Sequence, residues 1–100
     1  MEKGKPEVVF LPKAEKSISR IFKYIAEQGY PVRAEKFHLR LYEFGLSLND
    51  FPDKYAVCRH VIYKKQGMHC AIFEHNYVFV YKVIEHRLVI YNVIYAKRLK

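Results

Sequence analysis

Very short connections between apolar runs set the strongest limit on how this chain can fold. Such runs, rich in Val, Ile, Tyr and Phe, are typical of β-strands. Four of them follow Asp53, at residues 56–63, 69–73, 77–84 and 87–95. The connections, including EHN at 74–76 and EH at 85–86, are too short to hold a crossover helix. The second half is therefore predicted to be an antiparallel meander of three or four strands.

The first half shows two other patterns. The β-branched segment 7–11 predicts one strand, which Pro12 ends. Apolar residues then recur at every third or fourth position, the spacing of one face of a helix. The first stripe consists of Ala14, Ile18, Ile21, Phe22 and Ile25, and the second of Ala34, Phe37, Leu41, Phe44 and Leu48. Because only residues 28–31 separate the two helices, they are predicted to form an antiparallel hairpin over one core.

Together these segments predict an α+β fold, in the order β-α-α-β-β-β with room for one more strand, in which the meander forms one sheet. A chain of 100 residues is too short to bury two cores, so residues 1–100 are expected to form one domain. The last two runs are apolar at both odd and even positions, which indicates central strands. We expect helices on one face of them and aromatic residues such as Tyr77, Phe79 and Tyr81 on the other.

No apolar run at the N-terminus has the form of a signal peptide, and none is long enough to cross a bilayer. We therefore expect a cytoplasmic protein with no membrane partner. The chain has only two cysteines, Cys58 and Cys70. In that compartment they are expected to be reduced thiols.

Positive charge is concentrated in the second half of the chain. The formal net charge is +8, and residues 51–100 hold nine basic side chains against only three acidic ones. A field of this kind favours an anionic partner, either a nucleic acid or an acidic protein segment, and speeds the encounter with it. It does not select between the two.

The ordered set of motifs resembles the RelE/ParE superfamily of bacterial toxins from type II toxin–antitoxin modules, often labelled plasmid stabilisation proteins. The motifs are YIAEQGYPVRAEKFHLRLYEFGLSL at 24–48, FPDKYAVCR at 51–59 and NYVFVYKVIEHRLVIYNVIYAKR at 76–98. The resemblance implies a growth-inhibiting toxin that a cognate antitoxin binds and neutralises, in a toxin–antitoxin hetero-oligomer.

Two activities occur in that superfamily, poisoning of DNA gyrase and cleavage of messenger RNA on the ribosome. We favour the first, ParE-type activity, because Ala71 and Val78 stand where the ribonuclease branch places basic residues. The chain also ends at Lys100, before the C-terminal helix that brings a catalytic Tyr in that branch. The alternatives are a RelE-type, metal-independent endoribonuclease and an inactive toxin-like binding module, so whether the chain is an enzyme stays open.

Candidate site residues follow from the resemblance and from charge. Arg98 and His69 match basic positions of the ribonuclease branch, which makes them the candidate catalytic pair for metal-free RNA cleavage. The other candidates are nucleic-acid or target contacts: Arg59, Lys64, Lys65, Tyr81, Tyr95 and Lys97. Lys64 and Lys65 are expected in a hairpin turn ending at Gly67, and Arg59 to contact the target or pair with Asp50 or Asp53. The two tyrosines could stack on bases.

Zinc ligands also occur near the middle of the chain, as Cys58, His60, His69 and Cys70. Side chains alternate across a strand, so His69 and Cys70 point to opposite faces and the four are not expected to converge. We predict no metal and no cofactor.

Overall fold

The computed structural model describes residues 4–98. Its helices are α1 (Pro12–Glu27), α2 (Pro31–Ser47) and α3 (Val61–Lys65), and its strands are β1 (Glu7–Phe10), β2 (His69–Phe73), β3 (Tyr77–Ile84) and β4 (Arg87–Tyr95). A short 3₁₀ helix, Ala96–Arg98, follows β4. A strand, a helical hairpin and a three-stranded meander thus confirm the predicted α+β class.

Prolines begin both long helices. Pro12 and Pro31 lie at the first helical positions, where the missing N–H costs nothing and φ is already fixed. Between the helices, Gly29 has a φ of 95°, a value that glycine adopts without a steric penalty. The two helices contact each other and α1 contacts β4, where the Ser17 hydroxyl lies 2.6 Å from Asn92 Oδ1.

The four strands form one mixed sheet in the order β1-β4-β3-β2. The β2–β3 and β3–β4 pairs are antiparallel, as predicted. β1 instead lies parallel to β4, with Glu7 opposite Arg87. β1 and β2 are therefore the two edges of the sheet.

The aromatic residues of β3 lie on the face opposite to the one predicted. Phe79 and Tyr81 are fully buried in the main core with Ile18 of α1 and Leu41 of α2, and Tyr77 packs against that core. The expectation failed because β3 is apolar at both parities, so alternation alone could not decide which side meets the helices. The other face carries a smaller cluster, Cys58, Met68, Val78 and Val80, against which Tyr63 of α3 packs. We call it the back-face cluster.

The predicted strand at residues 56–63 is wrong. Only Val57 forms a bridge, with His69 of β2, and the chain then turns into α3. This excursion places the Tyr63 side chain against the back-face cluster, so burial overrides the β-propensity of the run. Lys64 and Lys65 accordingly end a helix instead of occupying a hairpin turn, and Gly67 follows with a φ of 70°.

Cys58 and Cys70 form a disulfide, with their Cα atoms 5.0 Å apart. The expectation of reduced thiols is therefore contradicted. It rested on the predicted compartment, whereas the Val57–His69 bridge brings the two cysteines within bonding distance. Among residues 4–98, no helix is long and apolar enough to cross a membrane.

Candidate target-binding surface

The segment around α3 is strongly basic. Arg59, Lys64 and Lys65 are exposed, and no acidic residue occurs from Lys54 to Phe73. Within residues 4–98 the salt bridges are Lys5–Asp50, Arg40–Glu74 and Arg87–Glu7. Asp50 is thus paired with Lys5 and not with Arg59, and the three cations near α3 have no carboxylate partner in the described part of the chain.

Backbone bonds and the disulfide hold this basic segment against the sheet. The Cys58 N–H donates to Met68 O at 2.8 Å, and the Cys70 N–H donates to Ala56 O at 3.2 Å. The Met68 N–H also donates to Tyr63 O at 3.1 Å, which joins the end of the excursion to α3. The cations therefore lie on a loop closed at its base rather than on an open tail.

A second group of cations follows β4. The Ala96 N–H donates to Asn76 O at 2.7 Å and starts the 3₁₀ helix that carries the exposed Lys97 and Arg98. Just before them, Tyr95 is 38% exposed, and its ring centroid lies 5.7 Å from that of Tyr77.

The two segments that carry these cations both contact the back-face cluster. Tyr63 of α3 and Ala96 of the 3₁₀ helix pack against it. We define the basic surface as Arg59, Lys64, Lys65, Lys97 and Arg98. These five positive charges lie on segments that pack against one cluster, and together they attract a large anion more strongly than any one of them alone.

His69 and Arg98 do not meet. His69 begins β2 and pairs with Tyr81, whereas Arg98 follows the end of β4, at the level of the Phe73–Tyr77–Tyr95 row. Four residues along a strand separate these levels, which is about 13 Å. His69 Nδ1 lies 2.6 Å from Tyr55 O, and its ring stacks on Tyr81. The strand register therefore does not bring the two candidate catalytic residues together.

Tyr81 is placed where it cannot stack on a base. Its side chain is fully buried, and its hydroxyl donates to Pro52 O at 2.6 Å. Burial, and to a smaller extent Tyr55 and Asp53, raises the pKa of Tyr81 to about 12. This residue is a polar anchor of the core, which corrects its assignment as a target contact.

The two surface depressions lie away from the basic surface. Surface depressions of about 390 and 240 Å³ lie along α1 and just after α2, and none of the five basic-surface residues lines either one. Among the described residues, no three His, Cys, Asp or Glu side chains converge on a point that could hold a metal ion. The arrangement suits contact with a macromolecule.

Three exposed apolar residues near the basic surface escaped sequence reasoning. The sequence predicts a strand for Val61 and Ile62 and places Ile72 in the strand run 69–73, so it singles out none of the three. Their side chains are 59%, 56% and 60% exposed. The signal that could have pointed to them is the acid-free stretch from Lys54 to Phe73, within which all three lie.

Comparison with known proteins defines the class. A chain from the solved structure "Chromosomal ParDE TA system from P. aeruginosa" superposes with a TM-score of 0.78 over 91% of this chain and 96% of that chain, at 14% sequence identity. That similarity shows the fold. No curated protein matches the sequence.

The family comparison adds the function. The ParE toxin of the type II toxin–antitoxin system parDE matches residues 8–99. The chain is thus a toxin of a type II toxin–antitoxin module, and an antitoxin is its partner. It belongs to the ParE toxin family.

Proposed function

We propose that this toxin stops growth by binding DNA gyrase, through its basic surface, without cleaving RNA. Membership of the ParE family favours that target. The observation that carries the proposal is the separation of His69 from Arg98 along the sheet. RNA cleavage without a metal needs a base, an acid and a cation around one phosphate, and the different sheet levels of these two residues argue against their supplying them together.

The basic surface supports a binding mechanism. Gyrase works on DNA, so a complex of the two presents phosphates that attract Arg59, Lys64, Lys65, Lys97 and Arg98. Tyr95, which is partly exposed beside Lys97, adds a flat aromatic contact. In this proposal the toxin acts in the cytoplasm as a one-domain protein, and the antitoxin neutralises it in a hetero-oligomer.

Controlled expression tests this function. The wild-type toxin is induced without antitoxin while growth, DNA breaks and message integrity are followed together, and purified toxin is added to gyrase in a supercoiling assay. We expect DNA breaks with intact messages, and inhibition of supercoiling. Codon-phased cuts in translated messages with intact DNA would contradict the proposal in favour of the ribonuclease, and unaffected growth would favour an inactive binding module.

A charge-matched pair of variants locates the surface. Lys97→Glu/Arg98→Glu should weaken inhibition of gyrase by about tenfold or more, because it reverses two contacts with phosphate. Lys16→Glu/Lys23→Glu makes the same change in net charge on exposed positions of α1, and we expect it to change inhibition by less than about twofold. Equal losses in both would mean that net charge alone matters.

A further inference from the structure

Residues 59–67 carry three of the five cations of the basic surface, yet they make few directional contacts with the rest of the fold. In the described part of the chain, the hydrogen bonds of this segment run to partners between residues 59 and 68, such as the bond from Met68 N–H to Tyr63 O. None of the salt bridges among residues 4–98 involves the segment. It meets the core through the Tyr63 side chain, which packs against the back-face cluster.

The helix within this segment is too short to hold its own shape. α3 has five residues, and so short a helix does not persist alone because its first turn costs more than it returns. Val61 and Ile62 of α3 are 59% and 56% exposed, so it buries little apolar surface. His60 precedes it, and His60 Nδ1 is buried without a hydrogen-bond partner among the described residues, which is unfavourable. The shape of the segment therefore depends on what holds its two ends.

The Cys58–Cys70 disulfide joins those ends. Cys58 stands directly before the segment, and Cys70 lies in β2, which anchors the bond to the sheet. A covalent link between residues 12 positions apart removes most of the freedom that an open segment of this length would have. Beside it stand two backbone hydrogen bonds, each of which is individually weak. The disulfide is thus the strongest restraint on the position of Arg59, Lys64 and Lys65.

A thiol can approach this bond from one side. Cys58 is 2% exposed, whereas Cys70 is half-buried. Attack by a thiolate on Cys70 Sγ makes the Cys58 thiolate the leaving group, next to Arg59 and in a stretch without acidic residues. Positive charge of this kind stabilises a thiolate and favours exchange. Cytoplasmic thiols reduce disulfides that they can reach, so this bond responds to the redox state of its surroundings.

We propose that the Cys58–Cys70 disulfide is a redox switch of toxin activity. In the oxidised toxin the bond holds Arg59, Lys64 and Lys65 in the basic surface, and its reduction releases residues 59–67 and weakens binding to the target. The proposal rests on the proposed function, since it takes the toxin to act in the cytoplasm and the basic surface to face gyrase.

The switching step is a two-electron thiol–disulfide exchange with a dithiol reductant. The bond between Cys58 Sγ and Cys70 Sγ breaks, and both sulfurs become thiols. The dithiol supplies the two electrons and the two protons, and it closes to its own disulfide. Oxidation of the toxin is the reverse reaction with an oxidised dithiol.

Gyrase inhibition by the full-length toxin tests the switch, with dithiothreitol as the reductant and alkylation with mass spectrometry to follow the disulfide. The toxin concentration for half-inhibition should rise about tenfold or more on reduction and return on reoxidation, because cations on a released segment lose entropy when they bind. Cys58→Ala/Cys70→Ala should inhibit like the reduced toxin, with or without dithiothreitol. Gyrase without toxin in the same buffers is the control. Equal inhibition in the two redox states would overturn the proposal.

A charge-matched pair of variants tests whether the switch acts through the segment. Lys64→Glu/Lys65→Glu removes two of the cations that the bond positions, so reduction should change its inhibition by less than about twofold. Lys97→Glu/Arg98→Glu makes the same change in charge outside the segment and should keep a response of about tenfold. The same redox response in both variants would contradict an effect transmitted through residues 59–67.

Amide NMR of the oxidised and reduced toxin distinguishes local release from unfolding. On reduction, the signals of residues 59–68 should move towards the positions of an unstructured chain, and those of β3 and β4 should stay in place. An unchanged spectrum would count against the switch. Collapse of the whole spectrum would also do so, since the bond would then hold the entire fold together.

Growth assays separate failure of the switch from failure of the proposed target. Wild-type toxin should arrest growth at a lower level of expression in a host that lacks its cytoplasmic disulfide reductases than in an ordinary host. Cys58→Ala/Cys70→Ala should be equally and weakly toxic in both hosts. Equal toxicity of the wild type in the two hosts would refute the switch. If oxidised toxin had no effect on gyrase but this difference in growth remained, the target alone would be refuted.

Discussion

Replacing Gly45 with alanine tests how closely α2 approaches the sheet. Gly45 is buried in the last turn of α2, two residues before its end at Ser47, and glycine in a helix costs up to about 1 kcal/mol relative to alanine. A Cβ at this position would lie 2.6 and 2.9 Å from Cζ and Cε2 of Phe10, and 3.1 Å from Cδ1 of Ile90. Carbon atoms in contact are normally about 3.5–4.0 Å apart. The Phe10 ring would therefore have to move by about 1 Å.

Contacts of the Phe10 side chain and of the Phe10 backbone both oppose this movement of the ring. The Phe10 ring packs against Tyr42, with centroids 4.9 Å apart, and the Phe10 backbone pairs with Ile90. Overpacking of this kind costs about 1–3 kcal/mol, which outweighs the gain of about 1 kcal/mol in helix propensity. We expect Gly45→Ala to lower the free energy of unfolding by about 1 kcal/mol.

A double-mutant cycle isolates the contact. Phe10→Leu shortens the side chain that the new methyl group would meet, so in that background Gly45→Ala should be neutral or stabilising. Urea unfolding of the wild type, both single variants and the double variant should give a coupling energy of about 1–2 kcal/mol. If Gly45→Ala stabilised the wild type by the full helix-propensity gain, the close approach of α2 to Phe10 would be refuted.

Two further predictions concern the disulfide and Tyr81. Reduction of the Cys58–Cys70 bond, which spans 12 positions, should lower the free energy of unfolding by about 3 kcal/mol, whereas Cys58→Ala/Cys70→Ala should not respond to reductant. Equal stability of the wild type with and without reductant would contradict it. Because the fold raises the pKa of Tyr81 to about 12, its neutral form is favoured. Stability should hold below pH ~10 and fall as the pH rises towards ~12, by up to about 3 kcal/mol. The free energy of unfolding of Tyr81→Phe should fall less than that of the wild type between pH ~10 and ~12. If the two proteins lost the same free energy over that interval, the effect of Tyr81 would be excluded.

The sequence was sufficient where local pattern and geometry agree. The apolar stripes, with Pro12 and Pro31 at their starts, predicted both long helices. Short connections predicted the antiparallel pairs of the meander, because no other pairing could be reached.

The remaining features depend on distance in three dimensions. The run at 56–63 has strong β-propensity, yet only Val57 finds a partner, because the next residues turn to bury Tyr63. Prediction of the disulfide requires the distance in space between Cys58 and Cys70, which are 12 positions apart in the chain. Candidate catalytic residues can be recognised by type, but the placement of His69 and Arg98 at different levels of the sheet requires the strand register.

The parallel pairing of β1 with β4 also orders events in time. Glu7 lies opposite Arg87, eighty positions later in the chain. A ribosome adds about 5–20 residues per second, so about 4–16 s separate the synthesis of the two partners. Before β4 is made, the helical hairpin is already complete, but the strand that lies between β1 and β3 in the sheet is missing. A growing chain of this topology cannot complete its sheet until β4 has been translated, so the cell that makes it meets no finished toxin before that point.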